Sequence, residues 1–293
     1  MNYILKNEFY EATVSDHGAE MISLKNADGR EILWQNTFGK GWSSHAPVLF
    51  PLCGNIKDKK AIYKGVDYPI MQHGFALRSD FTLTEKSDEK IVLTLTENEE
   101  TLAQYPFSFR LTVTYALEGD KLTFKAEVLN TGDEILPYSF GWHPGFFLPT
   151  DKGQDIEDYA VKLDEKSEVT WVHFYNDFDK ANDYIPYPLK NSEYKLCEKE
   201  IYENDTMVFR NAGSSAILTA EGHPFKLTLS WTDNIPVLCL WKSANHDHKF
   251  LCIEPWTHDT IRGERSNHWE ERDAHRLNPG EKEDFLYTLS VEF

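Results

Sequence analysis

Long hydrophobic runs are missing from this chain. No window approaches the ~20 apolar residues that a membrane span requires. The first eight residues carry no basic segment leading into an apolar run, so no secretory leader is expected. Positive charge is scarce too: 30 Lys and Arg stand against 48 Asp and Glu, a net charge of −18 over 293 residues. A field of that sign repels phosphate backbones and anionic lipid, which excludes nucleic acid and membranes as expected partners. Cysteine is limited to Cys53, Cys197, Cys239 and Cys252, far apart and without paired metal-ligand spacing. In surroundings such as Val237-Leu238-Cys239-Leu240-Trp241 a thiol reads as a small core hydrophobe. A soluble, cytoplasmic protein is expected.

Helical periodicity is also scarce. Residues 98–104 suit a turn or two before Pro106, and little else qualifies. What the chain does contain is period two. Leu111, Val113, Tyr115 and Leu117 alternate with polar neighbours. Glu118-Gly119-Asp120 then joins them to Leu122, Phe124, Ala126 and Val128, which predicts a hairpin. The alternation returns at 91–96, at Phe225, Leu227, Leu229 and Trp231, and at Phe285, Tyr287, Leu289, Val291 and Phe293. Asp28-Gly29 and Lys64-Gly65 mark turns. Strands without intervening helices argue for antiparallel sheets packed face to face. No repeat, low-complexity tract or Pro/Gly/Ser-rich linker interrupts the chain, and the acidic stretch 151–192 reads as loops with short strands. The expected architecture is all-β: a large antiparallel β-sandwich forming one domain over residues 1–293. A chain of this size buries about three quarters of its unfolded surface without needing a disulfide or a metal.

Aromatic residues make up 14 % of the chain. Most must be core, but Trp and Tyr on a concave sheet face beside carboxylates, amides and imidazoles would suit a sugar. Three segments place a titratable residue beside glycine, proline or aromatics: Met71-Gln72-His73-Gly74-Phe75, Ser139-Phe140-Gly141-Trp142-His143-Pro144-Gly145, and Phe250-Leu251-Cys252-Ile253-Glu254-Pro255-Trp256. Glu254 follows an apolar run and precedes a proline, so it is expected at the mouth of a strand, where partial burial raises a carboxyl pKa. The glycines flanking His143 permit close approach of a ligand, and an imidazole there can act as acid or base near neutral pH. Taken singly, each residue also suits a structural hydrogen bond or salt bridge. His246-Asp247-His248 and His258-Asp259 lack a second paired spacing and read as solvated loop, as does the charged run 264–276, so no metal site is expected.

In combination these segments resemble the aldose 1-epimerase (galactose mutarotase-like) family, and within it the LacX-type branch. The resemblance begins at Gly18-Ala19-Glu20-Met21-Ile22-Ser23-Leu24 and continues through Ala46-Pro47-Val48-Leu49-Phe50-Pro51-Leu52-Cys53-Gly54. It then takes in the motifs around His73, His143 and Glu254 and ends at Leu277-Asn278-Pro279-Gly280-Glu281, in order and over essentially the whole chain. It implies a supersandwich fold and the interconversion of α and β anomers of a free aldohexose such as galactose or glucose. By this resemblance Glu254 takes the proton of the C1 hydroxyl, His143 protonates the ring oxygen, and neither metal nor organic cofactor is required. His73 and an aspartate, best matched by Asp205, would hold the sugar hydroxyls, with Asn55 and Trp256 also in the substrate site. Asn55 is a departure: many relatives have arginine there, and an amide brings no cation, for which Lys57 or Arg78 would have to substitute. Alternatives are a hexose-6-phosphate 1-epimerase, with Lys57, Arg78 and Lys242 as candidate phosphate ligands, and a non-catalytic carbohydrate-binding protein with a decayed site. A glycosidase using Asp205 and Glu254 is a weaker alternative. A monomer or homodimer is expected.

Overall fold

The computed structural model describes every residue except 37–40, 165–167, 176, 244–248, 261 and 264. The predicted hairpin forms from strands Phe109–Glu118 and Lys121–Asn130, with Gly119 at a φ of +61° in the turn. Its register pairs Tyr115 with Phe124 and Val113 with Ala126, so one face of the hairpin is apolar throughout. Alternation has set both pairing and facing, because a slip of one residue would turn that face to water. The hairpin lies within a nine-stranded sheet. On one side it pairs with Lys90–Thr96, and on the other with the final strand, Lys282–Glu292. Lys226–Trp231, Ser215–Ala220 and Tyr159–Leu163 extend the sheet beyond that final strand.

A second sheet of eight strands is built around Phe250–Trp256. Val237–Trp241 flanks it on one side, while Gly141–Trp142 and Gly145–Phe147 flank it on the other. Thr206–Arg210, Thr170–His173 and Asp183–Pro186 continue outward from Val237–Trp241. The two large sheets pack through aromatic side chains. The Trp142 ring lies 4.8 Å from Phe124, and Phe140 stacks on Phe285 at 5.0 Å. The expected antiparallel sandwich is therefore the observed architecture. A three-stranded sheet, Asn2–Lys6, Tyr10–Ser15 and Met21–Asn26, adds to the same core.

The helical expectation at 98–104 holds in reduced form. Helix Glu99–Leu102 is capped by Asn98, whose side chain accepts from Thr101 N–H while Thr101 Oγ1 accepts from Asn98 N–H. A second helix, Glu198–Asn204, was not legible in the polar segment that forms it. Its apolar Ile201 is fully buried, and packing of that kind outweighs weak local propensity. No helix among the described residues is long and apolar enough to cross a membrane.

Candidate active site

Strand Phe250–Trp256 is buried along its whole length. Leu251 and Ile253 enter the core between the sheets, whereas Phe250, Cys252 and Trp256 belong to clusters on the opposite face. The period of two puts Glu254 on that same outer face. A cleft of about 900 Å³ opens there. Glu254, His143, His73, Asp205, Asn55 and Trp256 all line it, so the residues singled out in the sequence are brought together from five separate segments.

Glu254 lies within the strand, and its burial is complete at 1 % exposure, deeper than the strand-mouth position expected for it. Among the described residues neither of its carboxylate oxygens has a hydrogen-bond partner. His143 is 7 % exposed, and its Nε2 sits 3.2 Å from Glu254 Oε2, close but outside hydrogen-bonding alignment. Burial raises the Glu254 pKa well above the usual carboxylate range, and the charge of Asp205 pushes it the same way. Burial lowers the His143 pKa well below the usual imidazole value, with His73 contributing. Both directions favour the neutral forms, so the pair holds one dissociable proton between carboxyl and ring.

His73 stands at a φ of +65° on the turn that packs against Gly54. Its backbone N–H donates to Gly54 O at 2.8 Å, and its Nδ1 accepts from Gly54 N–H at 3.1 Å. That contact places the imidazole proton on Nε2. Burial, aided by the charge of Arg78, pushes the His73 pKa down to about 3, so the ring is neutral. Asp205 caps the C-terminal end of the second helix in a positive-φ conformation.

The glycines beside His143 make room for aromatic rings. A Cβ on Gly141 would come within 2.4 Å of the Trp256 ring, and one on Gly145 within 2.6 Å of the Trp42 ring. The missing side chains admit indoles, and those indoles then border the cleft. Trp42 stacks on the His143 imidazole at 5.0 Å and 27°, while Trp241 meets the same ring edge-on at 5.8 Å. Neither tryptophan was identifiable from the sequence, because each approaches His143 from a distant part of the chain.

The cationic candidates separate. Lys57 is held by both oxygens of Asp179, at 2.5 and 2.7 Å, and Lys242 is buried; neither lines the cleft. Arg78 does line it, donating to Gly74 O at 2.8 Å and Gln72 O at 3.2 Å and so bracing the His73 turn. Arg262, which carried no sequence signal, is a second cation on the cleft wall, over the Phe178 ring at 4.3 Å.

His246-Asp247-His248 lies outside the described residues. His258 and Asp259 turn to different partners: His258 approaches Asp273 at 3.6 Å, and Asp259 is paired with Arg210. Cys53, Cys239 and Cys252 are buried and unpaired, and Cys197 is partly buried.

The aldose 1-epimerase family model matches residues 1–282. The chain is 30 % identical over 268 residues to the chromosomal protein LacX of Lactococcus lactis subsp. lactis, covering 88 % of each. Its fold matches a galactose mutarotase related enzyme from Lactobacillus acidophilus with a TM-score of 0.90 at 29 % identity, covering 100 % of this chain and 98 % of that one. A galactose mutarotase-like protein from Lactobacillus casei shares the fold at a TM-score of 0.89 and 24 % identity, with 100 % of both chains covered. With most of its length matched by the family model and its fold shared by these solved structures, the chain belongs to the aldose 1-epimerase family.

Proposed function

We propose that this protein interconverts the α and β anomers of a free aldohexose such as galactose or glucose. The observation that carries this reading is the pairing of His143 Nε2 with Glu254 Oε2 at 3.2 Å in a cleft with ample room for a hexose. Mutarotation needs one group to accept a proton and another to donate one on the same ring. A pair sharing a single proton can do both.

In the proposed reaction the shared proton resides on His143 when the sugar is bound, and the Glu254 carboxylate accepts the C1 hydroxyl proton. The C1–ring-oxygen bond breaks, its electron pair goes to the ring oxygen, and that oxygen takes the proton from His143. The open-chain aldehyde rotates about C1–C2. Closure on the opposite face runs the same transfers in reverse and returns both groups to their starting state. His73, through its Nε2–H, and the Asp205 carboxylate would hold the sugar hydroxyls, with Asn55 and Trp256 completing the binding surface. Trp42 and Trp241 enclose the imidazole on two sides and limit its access to water.

One observation favours a second reading. Arg78 and Arg262 both line the cleft, and guanidinium groups suit recognition of a phosphorylated hexose. Exchange NMR of anomeric protons, with each free hexose and its 6-phosphate side by side, separates the two. Faster exchange of the free sugar is expected. Acceleration of the phosphorylated sugar alone would replace the first reading with the second.

A further inference from the structure

Cys252 lies one strand repeat before Glu254 on the face toward the cleft, beneath the aromatic rings that enclose His143. Its side chain belongs to the small cluster with Trp34 and Phe250, against which Trp42 and Trp241 pack. One ligand atom from each of His143, Cys252 and Glu254 lies within 4.8 Å of the others, and all three residues are buried. This thiol has no place in anomer exchange, and the sequence alone gave it no spacing to suggest a ligand.

We propose that His143, Cys252 and Glu254 form a binding site for a soft divalent cation of the zinc and cadmium class, and that its occupancy blocks anomer exchange. The donor set is one imidazole nitrogen, one thiolate and one carboxylate, the combination that borderline-soft cations prefer over calcium or magnesium. Three protein ligands with a fourth position open to water is an established coordination pattern for zinc. Here Glu254 and His143 line the cleft, while Cys252 lies behind them and does not line it.

Two features of the Glu254 carboxylate point to a ligand. Among the described residues both carboxylate oxygens of Glu254 are buried without a hydrogen-bond partner, a costly condition that a cation would relieve. The His143 Nε2 to Glu254 Oε2 distance is already 3.2 Å, which suits two ligands on one ion with bonds of about 2.0–2.2 Å. Bringing the sulfur into a tetrahedral shell, with a metal–sulfur bond of about 2.3 Å, requires closure by roughly 1 Å. The net charge of −18 raises the local concentration of cations at the surface. Binding releases the thiol proton and the proton shared by the pair to solvent. The carboxylate and imidazole lone pairs are then committed to the cation and can no longer carry protons to and from a sugar. Cation binding stands on geometry alone; its inhibitory consequence rests on the proposed epimerase reading.

The test is titration of the whole, metal-stripped chain with Cd2+, followed by the thiolate-to-cadmium charge-transfer absorption in the ultraviolet. One saturating equivalent is expected. Cys252→Ser, which keeps the volume and removes the thiol, should abolish the band, while Cys53→Ser, Cys197→Ser and Cys239→Ser should keep it. Glu254→Gln should weaken binding at least ~10-fold, the loss that disturbing even an outer-shell partner brings. Cd2+ should inhibit anomer exchange by the unmodified protein, with recovery on adding EDTA, and should not slow Cys252→Ser below its own metal-free rate. A full band in Cys252→Ser, or no band in the unmodified protein, overturns the site. A band lost in Cys252→Ser, with exchange by the unmodified protein undiminished at saturating Cd2+, overturns the inhibitory role. That same band change in a protein with no epimerase activity supports the site and counts against the function reading instead.

Discussion

His143 Nε2 and Glu254 Oε2 lie 3.2 Å apart in a buried cleft floor, close enough to pass a proton yet not locked in a hydrogen bond. Burial pushes the glutamate pKa up and the histidine pKa down. The pair therefore keeps one proton over a wide range of pH. Below the lower macroscopic pKa both groups are protonated and no base remains, while above the upper one no acid remains. The rate of anomer exchange should follow a bell in pH. Its acid limb should fall below the ordinary imidazole value of about 6.5, and its alkaline limb should lie above the ordinary carboxylate value of about 4.3. A profile recording initial rates across pH 4 to 10 checks this, and an acid limb at or above an ordinary imidazole pKa would count against it.

The same burial has a stability signature. A carboxyl with a raised folded-state pKa binds more protons folded than unfolded. Its contribution is fully present below the unfolded pKa and is lost as pH rises through the folded one. Glu254→Gln has no such titration. Its melting temperature relative to the unmodified protein should therefore rise as pH increases from about 4 toward 9, measured by calorimetry at matched ionic strength.

Arg78 and Lys57 were equal candidates in the sequence to supply the cation that Asn55 does not, and the fold separates them. Arg78 lines the cleft and braces the turn that carries His73. Lys57 is tied to Asp179 away from the cleft. Arg78→Gln should raise KM at least ~10-fold, the scale of one hydrogen bond to a charged group. Lys57→Gln should leave both kcat and KM within about twofold, because exposed ion pairs contribute little.

Asp259 is fully buried and paired with Arg210. That pair anchors the segment after strand Phe250–Trp256, which carries Thr260 and Arg262 to the cleft. Arg210→Met leaves a buried carboxylate without its cation and should cost about 3 kcal/mol in urea unfolding, the lower end for a broken buried pair. A loss under about 1 kcal/mol would show that water reaches Asp259.

The hairpin at Phe109–Asn130 was legible because one face meets the core and the other meets solvent. Strand Phe250–Trp256 gave no such signal. It is buried on both faces, so its residues form an unbroken apolar run in which periodicity disappears. Its glutamate stood out by chemistry instead, as a charge closing an apolar run before a proline. His73, His143 and Asp205 were legible through ordered motifs, and only the resemblance those motifs carry, not any local pattern, implied that they share one cleft. Trp42, Trp241 and Arg262 reach the site through long-range packing, which leaves no local mark. Cys252 was read as a core hydrophobe, which its burial bears out; its position beside Glu254 depends on strand facing that the apolar run conceals.

Polarimetry on freshly dissolved α-D-galactose and α-D-glucose, with the unmodified protein and Glu254→Gln in parallel, tests the central claim most directly. The proposed roles predict that the unmodified protein accelerates mutarotation of at least one sugar and that Glu254→Gln loses at least ~10²-fold of that acceleration. The variant should still bind the sugar. Full acceleration by Glu254→Gln, or none by the unmodified protein with either sugar, would contradict them.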